Sequence, residues 1–204
     1  MLPRPPLFLL PVVAFLLGSI PFGYLVYRLR TGGDIRQIGS GNIGATNVLR
    51  ASGKTLGILT LLLDAAKGWL AVWLALRWAP GASGLLAAVL LLAILGHLYS
   101  PWLRFRGGKG VATALGAFLA LAPWPLLGAL AVFALVLALW RYVSLASIAA
   151  CLALPLLLFV PGPPALAPGV KLAAVATAAL IILRHRPNLA RLRAGTEHKL
   201  GART

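Results

Sequence analysis

The sequence predicts an all-α polytopic membrane protein: seven transmembrane helices, the N-terminus outside and the C-terminus cytoplasmic. Three observations predict this. Sixty per cent of the 204 residues are hydrophobic, with a mean hydropathy of +0.93. Apolar stretches of spanning length recur from end to end, and lipid cannot satisfy unpaired backbone groups, so such stretches must be helices. Nineteen Lys and Arg stand against only Asp34, Asp64 and Glu197, giving a net charge of +16. In a soluble chain that excess suggests nucleic acid; on this oily chain it reports membrane orientation and an anionic ligand, and no nucleic acid is expected. Nothing is left over for a soluble domain, so residues 1–204 read as a single integral membrane domain.

Leu7 to Tyr27 is the first span. Arg4 and the apolar run after it suggest a signal peptide, but no small-residue cleavage site ends the run and Gly18-Ser19-Ile20-Pro21-Phe22-Gly23 continues in register, so one continuous helix is expected. Leu56 to Trp78 is the second span and Ser83 to Tyr99 the third. Gly110 to Trp140 runs without a charge for 31 residues, about 46 Å of helix against a hydrocarbon core about 30 Å thick. Pro123-Trp124-Pro125 falls near its middle, which predicts two short helices of about 15 residues each. Val143 to Val160 is the sixth span. Gly169 to Leu183 is the last, after a turn at Pro161-Gly162-Pro163-Pro164. Cys151, the one cysteine, excludes a disulfide framework and reads as a small buried hydrophobe.

Charge decides the parity. With the 110–140 segment split, the loops 28–55, 100–109 and 140–143 and the tail 184–204 share one side, which holds fifteen Lys and Arg against three on the other. Unsplit, the division is nine against nine. The positive-inside rule selects seven spans and makes the charged side cytoplasmic.

The segment from Gly39 to Asn47, Gly-Ser-Gly-Asn-Ile-Gly-Ala-Thr-Asn, followed by Arg50, is the longest run of small, hydroxyl- and amide-bearing residues in the chain. Gly39, Gly41 and Gly44 let the backbone turn tightly and aim N–H groups at one point, while Ser40, Asn42, Thr46 and Asn47 add side-chain donors. This reads as a phosphate cradle. A Rossmann fingerprint is excluded because a membrane helix, not a strand, precedes it, and Gly53-Lys54-Thr55 is no Walker loop because the opening glycine falls at Val48.

A second cluster runs from Gly96 to Thr113. In it Gly107, Gly108 and Gly110 clear the backbone around Lys109 at the expected start of the fourth helix, where an anion is favoured. Arg104 and Arg106 read equally as interface anchors, and His97 as a helix-end residue packed in the bundle. The third cluster is the basic tail from Arg184 to Glu197. There Asn188 and Glu197 stand out among the cations, and Glu197 is expected to tie the tail back to a basic loop. Asp64 and Lys67, three apart in the second span, are expected to pair inside the bundle.

Three scattered acids build no Mg²⁺ site, and His97, His185, His198 and Cys151 are not grouped for zinc, so no metal and no cofactor are expected. For a Ser-His-Asp triad only Glu197, beside His198, remains as the carboxylate, and no Gly-x-Ser-x-Gly elbow accompanies it. An enzyme of this composition needs a substrate that brings its own activation. A membrane transporter for phosphorylated metabolites is the alternative, but carriers usually bind near the midplane on broken helices with inverted repeats, whereas here the cations crowd one face and no halves match.

These motifs resemble the three signatures of the bacterial acyl-phosphate:glycerol-3-phosphate acyltransferases. The resemblance is carried by Gly39 to Asn47 with Arg50, by Phe105 to Thr113, and by Arg184-His185 with Asn188, Arg191, Gly195 and Glu197. It extends to Gly18 to Pro21, to Asp64 with Lys67-Gly68, and to Arg141 to Leu145, and so spans nearly the whole chain in order. One departure is visible: Pro101 lies four residues after His97 where the family pattern has three.

The resemblance implies a multi-pass protein of the bacterial inner membrane, working on the cytoplasmic side; the sequence leaves the oligomeric state open, with a monomer as the expectation. It would transfer a fatty acyl group from acyl phosphate to the sn-1 hydroxyl of glycerol 3-phosphate, giving lysophosphatidic acid and inorganic phosphate for phospholipid synthesis. Gly39, Ser40, Gly41, Asn42, Gly44 and Thr46 would hold the acyl phosphate. Arg50, Lys109, Ser147, His185 and Asn188 would hold glycerol 3-phosphate. His185, Lys109 and Arg50 would be catalytic, with His185 or the leaving phosphate taking the proton.

Overall fold

Every regular element is a helix in the computed structural model, which describes residues 6–160, 162 and 165–201. The turn expected at 161–164 lies outside the described residues except for Gly162. The chain divides into two compact units, Met1–Leu121 and Ala122–Thr204.

In the first unit, α1 (Leu10–Ser19) and α2 (Phe22–Thr31) share one apolar stretch of spanning length. The continuous helix expected from 7 to 27 is not found. Pro21 drives Ile20 out of the helical region, to φ −60° and ψ 118°, and the helix breaks there. The break frees the Ser19 carbonyl from the helix ladder and leaves the Ile20 carbonyl with one local bond, from the Phe22 N–H at 3.1 Å. Ser100 Oγ donates to the first at 2.6 Å and Lys67 Nζ to the second at 2.7 Å.

Two helices follow the expected loop. Residues 28–55 contain a helix of their own, α3 (Ala45–Ser52), framed by Gly44 and by Gly53 at φ 86°. Then α4 (Lys54–Trp78) and the stretch Ser83–Leu103, which begins with α5 (Ser83–Leu98), are long and apolar enough to cross a membrane, and α6 (Val111–Leu121) is shorter. Helices in lipid gain no hydrophobic effect by associating, so their approach depends on small residues at the seam. A Cβ on Gly68 would strike the Thr113 carbonyl, one on Gly116 the Ala65 carbonyl, and one on Gly18 the Ala93 carbonyl.

The second unit holds α7 (Pro123–Trp140), α8 (Val143–Phe159), α9 (Pro168–Arg184) and α10 (Arg186–Arg193). The charge-free stretch from 110 to 140 is indeed split. The break falls at Ala122 (φ −151°, ψ 71°), just before Pro123, so the pieces have 11 and 18 residues instead of equal halves. Cys151 is half-buried on α8 and not fully interior. Among the described residues, four helical stretches are long and apolar enough to cross a membrane, or five if α9 and α10, bent by 53°, count as one. Large side chains such as Phe8, Leu62, Leu156 and Leu172 lie more than half exposed, the outward hydrophobicity of a surface that meets lipid.

Candidate active site

The glycine turn is built around one buried side chain. Asn47, on α3, donates from its amide nitrogen to the carbonyls of Ile38 and Asn42 at 2.9 Å each and of Ile35 at 3.3 Å. Its amide oxygen accepts from the Ser40 backbone N–H at 3.1 Å. Asn47 is therefore the fastener of the turn and not a phosphate donor, which corrects the reading from sequence. Gly39 (φ 57°) and Gly41 (φ 69°) take left-handed conformations there, and a Cβ on Gly39 would fall 2.6 Å from the Asn47 amide oxygen.

The turn satisfies part of its own backbone. Asn42 Oδ1 accepts from the Gly44 N–H at 2.7 Å, and the Gly41 N–H donates to the Ile38 carbonyl at 3.0 Å. What it presents outward is the exposed Ser40 hydroxyl, half-buried Thr46 in the first turn of α3, and exposed Arg50 in its last. Just before it, Asp34 caps the short turn Ile35–Gln37 and chelates the Arg36 guanidinium. The hydrogen bond from Arg36 holds the Asp34 carboxyl below its ordinary range.

The Lys109 loop meets the glycine turn through apolar packing. Leu103 joins Tyr27, Ile35, Ile43 and Val48 in one buried cluster, so the first two polar clusters of the sequence share a floor. Arg104 (φ 52°) and Phe105 (φ 61°) are consecutive left-handed residues without glycine's freedom, a conformation that costs about 1–2 kcal/mol per residue. They reverse the chain so that the N–H groups of Gly107 and Gly108 donate to the carbonyls of Leu98 and His97, at 3.1 and 3.0 Å. Lys109, half-buried, follows immediately, and Gly110 (φ 86°) leads into α6.

In the second unit, His185 ends α9 and begins α10, a helix not foreseen from the sequence. It is buried, with Nδ1 2.8 Å from the Ile181 carbonyl. A carbonyl only accepts, so Nδ1 carries the hydrogen, and Nε2 is the basic nitrogen of the neutral ring. Buried Asn188 donates to Glu197 Oε1 at 2.7 Å, Ser144 Oγ donates to the same oxygen at 2.9 Å, and Arg191 Nε donates to Oε2 at 2.7 Å. Burial alone would raise the Glu197 carboxyl, but the bonds from Asn188, Ser144 and Arg191 outweigh it and hold the group below its ordinary value.

Glu197 thus ties the tail to Ser144 on α8 and to its own α10, and not to a basic loop as expected; the basic residue that holds the tail from outside is Arg141, which exchanges hydrogen bonds with Leu200. Ser147 is buried one turn below Ser144 and donates its hydroxyl proton to the Val143 carbonyl at 2.8 Å.

A cavity of about 530 Å³ opens at the far end of α3, lined by Arg30, Thr31, Ala51, Ser52, Thr55 and Leu56; none of the expected site residues lines it. Among the described residues, no three of His, Cys, Asp and Glu are grouped to hold a metal ion.

Comparison with known proteins places this geometry. Residues 8–195 match the family model of glycerol-3-phosphate acyltransferase. A glycerol-3-phosphate acyltransferase of Trichlorobacter lovleyi is 53% identical over 191 residues, covering 93% of this chain and 95% of that protein. One of Syntrophotalea carbinolica is 46% identical, covering 96% of this chain and 98% of that protein. The crystal structure of PlsY, an integral membrane glycerol 3-phosphate acyltransferase, in its glycerol 3-phosphate form superposes with a TM-score of 0.90 at 44% identity, over 96% of each chain. Its lysophosphatidic acid form gives a TM-score of 0.87 at 43% identity, over 96% of this chain and 95% of that one.

Proposed function

Because the chain belongs to the glycerol-3-phosphate acyltransferase family, we propose that its acyl donor is a fatty acyl phosphate and that the glycine turn is the donor's phosphate site. The protein is an integral membrane acyltransferase of glycerol 3-phosphate. The single observation that supports the donor assignment is the Asn47-fastened turn. It fixes a left-handed glycine backbone beside the outward Ser40 hydroxyl and Arg50, a shape and charge suited to phosphate oxygens. In this reading Gly39, Ser40, Gly41, Asn42, Gly44 and Thr46 hold the donor. Arg50 and Lys109, and in the second unit His185 and Asn188, hold glycerol 3-phosphate; Ser147 belongs to that set only if its hydroxyl turns away from Val143.

The chemistry follows from the donor. The primary hydroxyl oxygen of glycerol 3-phosphate bonds to the acyl carbon, the bond from that carbon to the phosphate oxygen breaks, and phosphate leaves with the electron pair. The hydroxyl proton passes to His185 Nε2 or to the leaving phosphate. A mixed anhydride is already activated, so cations that position the two phosphates and neutralise their charge can supply most of the acceleration.

The reading includes seven spans, with α6 and α8 as short ones. The N-terminus is outside, and the loops 28–55, 100–109 and 140–143 and the tail are cytoplasmic. What supports it is the division of fifteen cations against three. The test is kinetic. Lys109→Ala and Arg50→Ala are expected to lose nearly all turnover while remaining folded, and His185→Ala to lose kcat with KM nearly intact. Wild-type turnover in either cation variant removes that residue from the site. A rise in KM alone for His185→Ala removes it as the base.

A further inference from the structure

The break at Ile20 and Pro21 and the buried charges of α4 form one connected structure. Lys67 Nζ lies 2.8 Å from Asp64 Oδ1 and donates to the Ile20 carbonyl at 2.7 Å, with both charged side chains only 2% exposed. On its other side Asp64 Oδ1 lies 3.7 Å from Nδ1 of buried His97. His97 is the seat of the Lys109 loop: its carbonyl accepts the Gly108 N–H, and a Cβ on Gly108 would land on its Nε2. The other arm of the loop is pinned to the same break, since Ser100 Oγ donates to the Ser19 carbonyl at 2.6 Å and Trp102 Nε1 to Ser19 Oγ at 2.9 Å.

A buried ion pair is weak support for stability, because desolvation of both charges offsets their attraction. A neutral helix seam would hold α4 and α5 equally well. What the pair adds is direction: Lys67 holds one carbonyl at the break, and Asp64 Oδ1 faces, at 3.7 Å, the ring that lies beneath Gly108. The loop that follows His97 carries two left-handed residues, Arg104 and Phe105, and needs support from both sides to keep that shape.

We infer that Asp64, Lys67 and His97 are positioning residues for Lys109, holding its loop at the place where the lysine meets glycerol 3-phosphate. The inference rests on Lys109 being a ligand of that substrate. It assigns the buried polar knot to acceptor binding and not to the acyl donor.

The test uses the purified full chain. Asp64→Asn with Lys67→Met neutralises both charges at similar volume, leaving no unpaired buried ion. KM for glycerol 3-phosphate is expected to rise about tenfold while KM for acyl phosphate stays within about twofold and the melting temperature is nearly unchanged. An unchanged acceptor KM, or an equal rise in both, overturns the inference. Trp102→Phe removes the indole N–H bond to Ser19 and trims a ring that is 65% exposed, so it leaves no buried cavity and folds even if the double variant does not. It is expected to raise the acceptor KM about threefold, and no change overturns the inference.

Dissociation constants for glycerol 3-phosphate close the argument. In a Lys109→Gln background, Trp102→Phe should add less than about twofold, because it acts through the lysine; full additivity overturns the inference. If Lys109→Gln weakens binding and the knot variants do not, the inference alone falls. If Lys109→Gln itself changes nothing, the reading of Lys109 fails first and the inference goes with it.

Discussion

The glycine turn of the first unit and the basic tail of the second are both polar segments fastened by one buried side chain, but by opposite means. In the turn a neutral amide, Asn47, reaches out to three carbonyls and one N–H of the backbone. In the tail a carboxylate, Glu197, gathers donors from Asn188, Ser144 and Arg191. An amide that binds backbone sets the shape of a loop whatever the pH. A carboxylate that binds side chains sets where those side chains point, and only while it is charged.

The sharpest way to break this contrast is Asn47→Asp, which keeps the shape and replaces three donated bonds with repulsion between oxygens. The two amide hydrogens shared among the carbonyls of Ile35, Ile38 and Asn42 would give way to a repelling oxygen, at about 1–3 kcal/mol for each hydrogen lost, so the turn is expected to lose its structure and the enzyme about 100-fold or more in kcat/KM. Activity and melting temperature near wild type would show that the amide is not the fastener.

Glu197→Gln is the matching change in the tail. It keeps one acceptor but gives up the charge-assisted bonds, for an expected loss of about 1.5–3 kcal/mol in melts of the purified protein. A loss as large as that of Asn47→Asp would erase the contrast between the two fasteners.

The pH dependence separates them further. The folded-state carboxyl of Glu197 is held below its ordinary value, so the folded state binds fewer protons there than the unfolded state does. Its contribution is complete above the ordinary carboxylate range, about pH 4.3, and is lost as pH falls through the depressed value. Hydrogen exchange between pH 6 and 3, corrected for the intrinsic rate, should show protection of residues 184–200 falling while the Asn47-bound turn keeps its own. Equal loss in both would contradict the account.

The smallest expected effect belongs to Asp34→Asn. Asp34 is also lowered, by Arg36, but that pair is partly exposed at the protein surface. A change of no more than about 0.5 kcal/mol is expected in the same melts. A larger one would make charge, and not the Asn47 amide, the principal support of the turn.

Local signals in the sequence were read correctly. Pro123 marks the break in the long apolar stretch, Gly39 and Gly41 mark left-handed backbone, and the spacing of Asp64 and Lys67 marks a pair on one helix face. The break at Pro21 is as local a signal, yet the apolar run on both sides of it argues for continuity; at the break the Ile20 carbonyl accepts from the Phe22 N–H beside it and from Lys67, 47 residues away.

Long-range partnerships were the illegible part. Nothing near Asn47 in the chain says that its amide will reach the carbonyls of Ile35 and Ile38, and so its type alone suggested a ligand donor. Helices α3 and α10 are hard to read from the sequence because each is only eight residues, about two turns, too short for an apolar period to repeat, although Gly44 and Gly53 frame the first.

The measurement that tests the central claim most directly compares donors on the purified protein, with glycerol 3-phosphate as acceptor and no added metal: palmitoyl phosphate, palmitoyl-CoA and palmitoyl-acyl carrier protein. The account predicts lysophosphatidic acid from palmitoyl phosphate alone, with one inorganic phosphate released for each ester formed. Comparable rates from either thioester, or ester formation without matching phosphate release, would contradict it.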